Sequence, residues 1–118
     1  MGDISDNFNR SEFLCKCGVC GFDTVDALLL ESLEAIRSHF GQPIQVSSGC
    51  RCPNYNKTVG GSQNSQHKKG RASDIQVQGT VPSDVADYAE ALGLSVGRYS
   101  NFTHVDSRSG PPARWGNN

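Results

Sequence analysis

The stretch VDALLLESLEAIRSHFGQPIQVSS (residues 25–48) decides the fold class, because it joins a helix-forming pattern directly to a strand-forming one. Over 25–40 the apolar residues recur at steps of three and four, which predicts an amphipathic helix with one buried face. Asp23 or Thr24 is the expected N-terminal cap, and Gly41 is expected to end the helix. The predicted buried face comprises Val25, Leu28, Leu29, Leu33, Ile36 and Phe40.

Outward from this helix, the chain alternates between short strands and one further helix. Segments 43–48 and 72–78 alternate in polarity and predict strands. A second helix is expected over about 83–92, followed by two strands within 95–107. The pattern predicts an α+β fold, with a small, mainly antiparallel sheet packed by one long and one short helix. One domain is expected over 1–118, since a chain of this length has little room for a second core.

Both ends of the chain carry aromatic residues within polar, glycine-rich segments. In the N-terminal segment, residues 1–22, Phe8 and Phe13 are the expected anchors onto the core. In the C-terminal tail, Trp115 is expected to fold back on the body. Neither segment shows a helix or strand pattern.

The composition excludes several classes of partner. Eleven basic and twelve acidic side chains give a net charge of −1, so neither a nucleic acid partner nor attraction to an anionic membrane is expected. The longest strongly apolar run, residues 25–30, is too short for membrane insertion. The first 13 residues lack a basic region followed by an apolar stretch, so the sequence predicts synthesis in the cytoplasm without a signal peptide.

Two of the three histidines stand near a carboxylate. Six residues separate His67 from Asp74, at the junction of a loop and a predicted strand. His104 and Asp106 occupy positions i and i+2 of a strand, so both side chains leave the same face. His39 lies on the long helix off its apolar stripe and is expected at the surface.

Two imidazoles and a carboxylate, from His67, Asp74 and His104, form a ligand set typical of a catalytic zinc ion. Two neutral ligands and one anion leave such a site near a charge of about +1, so the ion stays a strong Lewis acid and keeps a position for water. The alternative is that His67 is a solvated loop residue and His104 is hydrogen-bonded within its strand. The aspartate beside each histidine favours the metal site.

The segment SSGCRCPNYNKTVGGSQNSQHKKGRASDIQV, followed by VGRYSNFTHVDSR and a closing ARW, resembles the zinc D-Ala-D-Ala carboxypeptidase-like murein peptidases. That family belongs to a wider group with lysostaphin-like enzymes and hedgehog signalling domains. The similarity runs from about Phe8 to Trp115. It implies that His67, Asp74 and His104 bind one catalytic zinc ion above the floor of a small sheet.

The resemblance also implies a hydrolase that acts on peptidoglycan peptides of the cell wall, as a D-Ala-D-Ala carboxypeptidase or a murein endopeptidase. Its expected relatives include phage endolysins and virion-associated wall hydrolases. Such a protein would reach the wall by host lysis or on a virion. The rival is a non-catalytic zinc-containing module that binds peptide or cell wall. A third option is a structural cysteine–zinc protein. The bond cleaved, the oligomeric state and the phage or bacterial origin stay open.

Arg51 matches a family position at which an arginine binds a substrate carboxylate. A guanidinium can grip a carboxylate with two parallel hydrogen bonds, which gives orientation as well as affinity. The alternative is a surface arginine that ties down its own loop. Ser65 and Gln66 are expected to add polar substrate contacts beside the metal.

The proton acceptor is harder to assign. Many relatives carry Glu or Asp three residues before the last histidine ligand, but here Asn101 occupies that position and cannot accept a proton. Asp106 shares the face of His104 and is the nearest substitute. It could equally orient His104 as a hydrogen-bond partner. Both roles stay open.

The five cysteines form two groups. Cys15, Cys17 and Cys20 precede the long helix, and Cys50 and Cys52 flank one arginine. An odd number argues against a fully paired disulfide scaffold. Close-spaced cysteines from two segments are typical of structural zinc, although C-x-C-x2-C is not a usual zinc-ribbon spacing. Free thiols or a disulfide are favoured, without a second metal ion.

Overall fold

The computed structural model describes residues 2–61 and 65–117, in which helices and strands alternate up to the third helix and three strands follow it. The helices are α1 (Ala27–Phe40), α2 (Pro53–Thr58) and α3 (Pro82–Ala91). The strands are β1 (Ile44–Ser48), β2 (Ala72–Val77), β3 (Ser95–Arg98), β4 (Thr103–Asp106) and β5 (Arg114–Gly116). Among the helices described, none is long and apolar enough to cross a bilayer.

Helix α1 begins later than the pattern indicated. Its cap is Asp26, whose carboxylate accepts a hydrogen bond from the backbone N–H of Leu29 at 3.2 Å. The helix ends, as predicted, at Gly41, which has a φ of 63°. Leu28 is 58% exposed, so its predicted place on the buried face is wrong. The fully buried residues of α1 are Leu29, Leu33 and Ile36.

The sheet is mixed, with strand order β1-β2-β4-β3-β5. The first three pairings in that order are antiparallel, whereas β5 pairs parallel to β3. The predicted α+β class and mainly antiparallel sheet are therefore confirmed, with one parallel edge strand that the sequence did not predict. This strand comes from the C-terminal tail, so Trp115 folds back as part of the sheet.

The two faces of the sheet differ in chemistry because side chains alternate along each strand. Ile75, Thr103 and Val105 are buried on one face, with α1 and α3 in contact with the strands. Asp74 and His104 alternate with them and lie on the other face. The core thus supports the strands from behind, and a polar site occupies their front. That the whole chain is one domain stays a prediction.

The connection from β1 to β2 contains α2 and a 3-10 turn over Gln66–Lys69. Pro53 opens α2, where its fixed φ suits the first helical position and its missing N–H costs nothing. The cap of α2 is Cys52, whose sulfur accepts the N–H of Tyr55 at 3.4 Å. This short helix was not predicted.

The N-terminal segment packs onto the core through its aromatic residues, as expected. A 3-10 turn spans Arg10–Phe13, and Phe8 and Phe13 are each 1% exposed. Their ring centroids lie 6.0 Å apart. The segment is therefore anchored although it contains no strand or α-helix within the described residues.

Candidate metal centre and its cavity

Asp74 and His104 come together because their strands pair in register. Asp74 lies directly opposite His104 in the antiparallel β2–β4 pair, which brings opposed side chains close on one face. The row continues from His104 to Gly97 in β3 and from Gly97 to Trp115 in β5. Four strands thus contribute one residue each to a single row across the sheet.

His67 reaches the same face from the 3-10 turn over Gln66–Lys69. The Ser65 hydroxyl accepts the backbone N–H of His67 at 3.2 Å, and Gly70 closes the turn with a φ of 68°. A Cβ on Gly70 would also lie 2.6 Å from the carbonyl oxygen of Thr24. Glycine is therefore required both by the backbone conformation and by the close approach.

The three side chains predicted from the sequence converge on one point. His67 Nε2 lies 3.3 Å from Asp74 Oδ1, and His104 Nδ1 lies 3.0 Å from the same oxygen. All three residues are buried, and one ligand atom from each lies within 4.8 Å of the other two. Two imidazole nitrogens and one carboxylate oxygen in this arrangement could hold a divalent metal ion.

The outer nitrogen of each imidazole is fixed by an acceptor. His67 Nδ1 lies 2.6 Å from the carbonyl oxygen of Gly49, which only accepts, so Nδ1 carries a proton. His104 Nε2 lies 2.7 Å from Asp106 Oδ2 and carries a proton for the same reason. When the rings are neutral, the nitrogens that face Asp74 therefore present lone pairs.

His67 Nε2 is the clearest sign that a cation fits this site. It is buried, has no hydrogen-bond partner among the described residues, and approaches Asp74 Oδ1 without the alignment of a hydrogen bond. Buried polar atoms nearly always have a partner, and a lone pair facing a carboxylate oxygen is unfavourable. An ion between the two atoms would satisfy both.

The charges of Asp74 and His104 depend on each other. Burial disfavours the Asp74 carboxylate, but the hydrogen bond from His104 and the adjacent His67 ring outweigh burial and hold the pKa of Asp74 far below its usual range. Burial also disfavours the His104 imidazolium, yet hydrogen bonds to Asp106 and Asp74 raise the pKa of His104. A cation that binds here competes with the proton on His104 Nδ1.

Asp106 is fully buried behind His104, with both carboxylate oxygens occupied. Oδ2 accepts from His104 Nε2 and from an Arg108 terminal nitrogen at 2.8 Å; Oδ1 accepts from Arg108 Nε at 2.8 Å. Burial works against ionisation, but the hydrogen bonds from Arg108 and His104 lower the pKa of Asp106 far below its usual range. Both Asp106 oxygens already accept hydrogen bonds, and Asp106 is not among the described residues that line the cavity, an arrangement suited to orienting His104.

Arg51 lines the cavity beside the three converging side chains. One terminal nitrogen donates to Asp74 Oδ2 at 3.2 Å, the other to Asn56 Oδ1 at 3.3 Å, and Nε donates to Ser48 at 3.2 Å. Asp74 thus shares its oxygens, with Oδ1 toward the imidazoles and Oδ2 toward the guanidinium. The sequence did not predict this second contact of Asp74.

A surface cavity of about 490 Å³ lies over the three side chains. Ser65 and Gln66, predicted as substrate contacts, line it, and Gln66 Oε1 is buried with no hydrogen-bond partner in the described part of the chain. Of the described residues that line this cavity, Asp74 alone carries a carboxylate. Asn101 is exposed and lines a different cavity, on the far side of β2 and β4.

An aromatic wall, which the sequence did not predict, completes the cavity. Trp115 lies with its ring centroid 5.0 Å from that of His104, and its Nε1 donates to the Tyr99 hydroxyl at 2.9 Å. Tyr99 in turn stacks on Phe102 at 4.4 Å. A Cβ on Gly97 would lie 2.6 Å from the Trp115 indole, so the space left by this glycine admits the ring. The register that sets Trp115 beside His104 is visible only in the structure; in the sequence, the closing ARW of the family resemblance was the signal that included it.

The five cysteines are all free and fall into a cluster of four and a single residue. One sulfur from each of Cys15, Cys17, Cys20 and Cys52 lies within 4.8 Å of the others. Cys50 stands apart, with its thiol 2.8 Å from the carbonyl oxygen of Thr24. Burial raises the pKa of the Cys50 thiol to about 11, which keeps it protonated.

Comparison with known proteins gives consistent matches. The family model described as Peptidase M15 matches residues 6–106. The peptidoglycan L,D-endopeptidase MepK of Escherichia coli K12 is 30% identical over an alignment 102 residues long; the match covers 78% of this chain and 55% of MepK. MepK of Escherichia coli O157:H7 and MepK of Shigella flexneri match to the same extent. The chain therefore spans about half the length of these relatives, and the murein peptidase resemblance is confirmed.

Proposed function

The chain belongs to the peptidase M15 family, and we propose that it hydrolyses peptide bonds in peptidoglycan with one zinc ion held by His67, Asp74 and His104. The stem or cross-bridge peptides that contain D-amino acids are the proposed substrates. The relatives named as peptidoglycan endopeptidases support this substrate class. A wall-directed protein, carried by a phage or released by lysis, remains our proposal for its location.

The observation that carries the proposal is Nε2 of His67, which has no hydrogen-bond partner in the described part of the chain and faces Asp74 Oδ1 at 3.3 Å. With His104 Nδ1 as the third donor, the set is two neutral nitrogens and one anionic oxygen, which suits zinc in catalytic sites. When bound, the ion supplies Lewis acidity toward the scissile carbonyl and the hydrolytic water.

Residues behind this donor set hold it in place. Asp106 accepts the Nε2 proton of His104 and is itself held by Arg108, so the His104 ring cannot rotate without breaking that chain of hydrogen bonds. Gly49 does the same for His67 through its carbonyl oxygen. Of the two roles predicted for Asp106, we therefore propose orientation of His104. A carboxylate partner that fixes a histidine ligand also increases the basicity of the ring.

Arg51 is the proposed contact for a substrate carboxylate. It lines the cavity, and at least three of its five N–H groups are already engaged by Ser48, Asn56 and Asp74. These contacts fix the plane of the guanidinium, so little side-chain freedom is lost when a carboxylate binds. Ser65 and Gln66 are proposed to bind the peptide backbone on the same side, because Gln66 Oε1 lacks a partner in the described residues.

The test is cleavage of purified peptidoglycan, with the released peptides identified by mass spectrometry. We expect the wild-type protein to release new peptides and His67→Ala to release none. His39→Ala is the matched control, because His39 is exposed on α1 and stacks on Tyr88, and neither residue lines the cavity. Cleavage by His67→Ala at the wild-type rate would refute the mechanism.

A second candidate function is a zinc-containing module that binds wall peptide without cleaving it. Two observations favour it: Asn101 replaces the usual acidic residue, and Asp74 is the one carboxylate among the described cavity residues. Binding of soluble stem peptide, followed by calorimetry, with no cleavage after prolonged incubation would support this candidate. Cleavage that Asp106→Asn or His67→Ala abolishes would support the enzyme.

A further inference from the structure

A second cluster of metal-ligating side chains lies outside the cavity, between the N-terminal segment and the start of α2. One sulfur from each of Cys15, Cys17, Cys20 and Cys52 lies within 4.8 Å of the other three. We propose that these four thiolates bind a structural zinc ion. The proposal is independent of the zinc proposed for the histidine site.

The backbone around Cys17 and Cys20 is shaped to present sulfur to a cation. In the segment CGVCG (residues 17–21), Gly18 and Gly21 adopt φ values of 81° and 69°, which are conformations that favour glycine. These turns aim the N–H groups of Val19 and Cys20 at Cys17 Sγ, at 3.5 and 3.4 Å. The N–H of Phe22 points at Cys20 Sγ at 3.4 Å.

The other two sulfurs accept backbone N–H groups as well. Cys15 Sγ accepts the N–H of Cys52 at 3.3 Å, and Cys52 Sγ accepts the N–H of Tyr55 at 3.4 Å. All four sulfurs thus act as acceptors, which is the role of a thiolate, since a neutral thiol is only a weak acceptor. Five N–H groups spread the negative charge that four thiolates would bring to one ion.

The geometry suits a closed site. Zinc–sulfur bonds of about 2.3 Å in a tetrahedron require sulfur–sulfur distances of about 3.8 Å, and the four sulfurs lie within 4.8 Å of one another. Four thiolates and one Zn²⁺ give a net charge of about −2 and leave no position for water, which is typical of a structural site. Binding releases the thiol protons to solvent, so the ion's affinity contributes directly to folding stability.

Cys50 supplies an internal contrast, because it is close in sequence but takes no part in the cluster. Its thiol lies 2.8 Å from the Thr24 carbonyl oxygen and 3.1 Å from that of Phe13, so it acts as a donor. Replacing it with serine keeps a donor in place. Cys50→Ser is therefore the matched control for substitutions in the cluster.

The proposed ion joins two segments that no disulfide connects among the described residues. Cys15, Cys17 and Cys20 belong to the N-terminal segment, whereas Cys52 follows Arg51 directly. The ion would therefore hold the N-terminal segment against the backbone that carries Arg51. A core of this size gains substantially from such a link.

The experiment measures zinc per chain by elemental analysis in protein purified with reductant and without added metal. His67→Ala isolates the cysteine cluster, and we expect it to retain one zinc per chain; adding Cys20→Ser should remove that ion, whereas adding Cys50→Ser should not. Cobalt substitution of His67→Ala should give the intense near-ultraviolet absorption of thiolate-to-cobalt charge transfer. This readout uses a chain with all four cysteines, so it remains decisive if Cys20→Ser fails to fold.

Two outcomes would overturn the proposal. One is His67→Ala that contains no zinc and gives cobalt spectra without sulfur charge transfer. The other is an intact mass, after alkylation under non-reducing conditions, that shows disulfides among the four cysteines in freshly reduced and repurified protein. Neither outcome depends on whether the histidine site binds metal or whether the protein cleaves peptidoglycan.

Discussion

The two clusters of metal-ligating residues differ in the elements that carry them. Asp74 and His104 project from paired strands in the middle of the sheet, and His67 from a turn fixed by Gly70. The cysteine cluster lies in loops, held by N–H groups of the same segments. The first cluster borders a cavity of about 490 Å³, whereas none of the four cysteines lines that cavity.

The difference shows how the total charge of the ligands distinguishes a catalytic metal site from a structural one. Two neutral imidazoles and one carboxylate leave a dication with net positive charge and a free position, which suits activation of water and of a carbonyl. Four thiolates over-neutralise the same ion and close its coordination shell. One small chain can therefore bind two ions of the same element, one for catalysis and one for stability, if each site has the appropriate ligands.

The largest expected effect comes from stepwise removal of metal. A hydrophilic chelator should strip the ion over the open cavity first, and cleavage of peptidoglycan should fall to the rate of the uncatalysed mixture. The thermal midpoint should change little at that stage. Loss of the cysteine-bound ion under longer exposure should then lower the free energy of unfolding by roughly 3 kcal/mol, in the upper range for a single lost feature. Calorimetry and activity are measured on the same samples. If activity and stability are lost together, the distinction between a catalytic and a structural ion is wrong.

The next effect concerns the support behind the histidine site. Asp106→Asn should weaken metal binding about 10- to 100-fold, because the His104 ring loses its carboxylate partner. Competition with a fluorescent zinc chelator measures this change. Asp87→Asn is the control, since the Asp87 side chain is 69% exposed and pairs with Arg98 on α3's side of the sheet. A large fall in kcat with unchanged metal affinity would instead mark Asp106 as the proton acceptor.

A smaller effect is expected at the aromatic wall. Gly97→Ala would bring a methyl group into the Trp115 indole, so the ring must move from its place beside His104. We expect roughly a tenfold loss in kcat/KM, since misplacement of a positioning group on the order of 1 Å is costly. In a Trp115→Ala background the same substitution should cost little, because the two act through one contact. If the losses caused by Gly97→Ala and Trp115→Ala are fully additive, Gly97 does not act by making room for the Trp115 ring.

The smallest effect concerns hydrogen bonds that attach the N-terminal segment to α1 without any metal ion. Glu34 on α1 accepts hydrogen bonds from the Ser5 hydroxyl at 2.5 Å and from the Asn7 amide groups at 2.6 and 2.7 Å. Glu34→Gln should lower the free energy of unfolding by about 1 kcal/mol, given charged hydrogen bonds partly screened by solvent. Chemical denaturation at neutral pH measures the loss, and Glu31→Gln, exposed on the same helix, is the control.

The pH dependence of this loss has a definite sign. Burial opposes ionisation of Glu34, but hydrogen bonds from Asn7 and Ser5 outweigh it and lower the pKa of Glu34 in the folded state. Its stabilising contribution is therefore complete above the pKa of the unfolded state and is lost as pH falls through the folded pKa. The wild type and Glu34→Gln should converge in stability in acid. A difference that grows on acidification would contradict this account.

Much of the fold followed from local pattern. The apolar period of α1, its glycine stop and the alternation of β2 are properties of neighbouring residues, so they were predictable. Helix α2 and strand β5 were not, because their stability comes from tertiary contact. β5 comprises three exposed residues in a Pro/Gly-rich tail and exists through its pairing with β3.

The candidate site divides in the same way. Motif spacing and resemblance selected His67, Asp74 and His104, whose binding of metal stays a prediction. Spacing also placed Asp106 on the face of His104. It could not show whether the carboxylate lies on the cavity side of the imidazole ring or on the opposite side. That depends on Arg108, which engages both Asp106 oxygens.

Anomalous scattering at the zinc absorption edge, from crystals grown without added metal, tests the central claim most directly. We predict a peak within bonding distance of His67 Nε2, His104 Nδ1 and a carboxylate oxygen of Asp74. Two results would contradict it. One is electron density in which these three side chains point away from one another. The other is the absence of a zinc peak between them in crystals where zinc fully occupies another site.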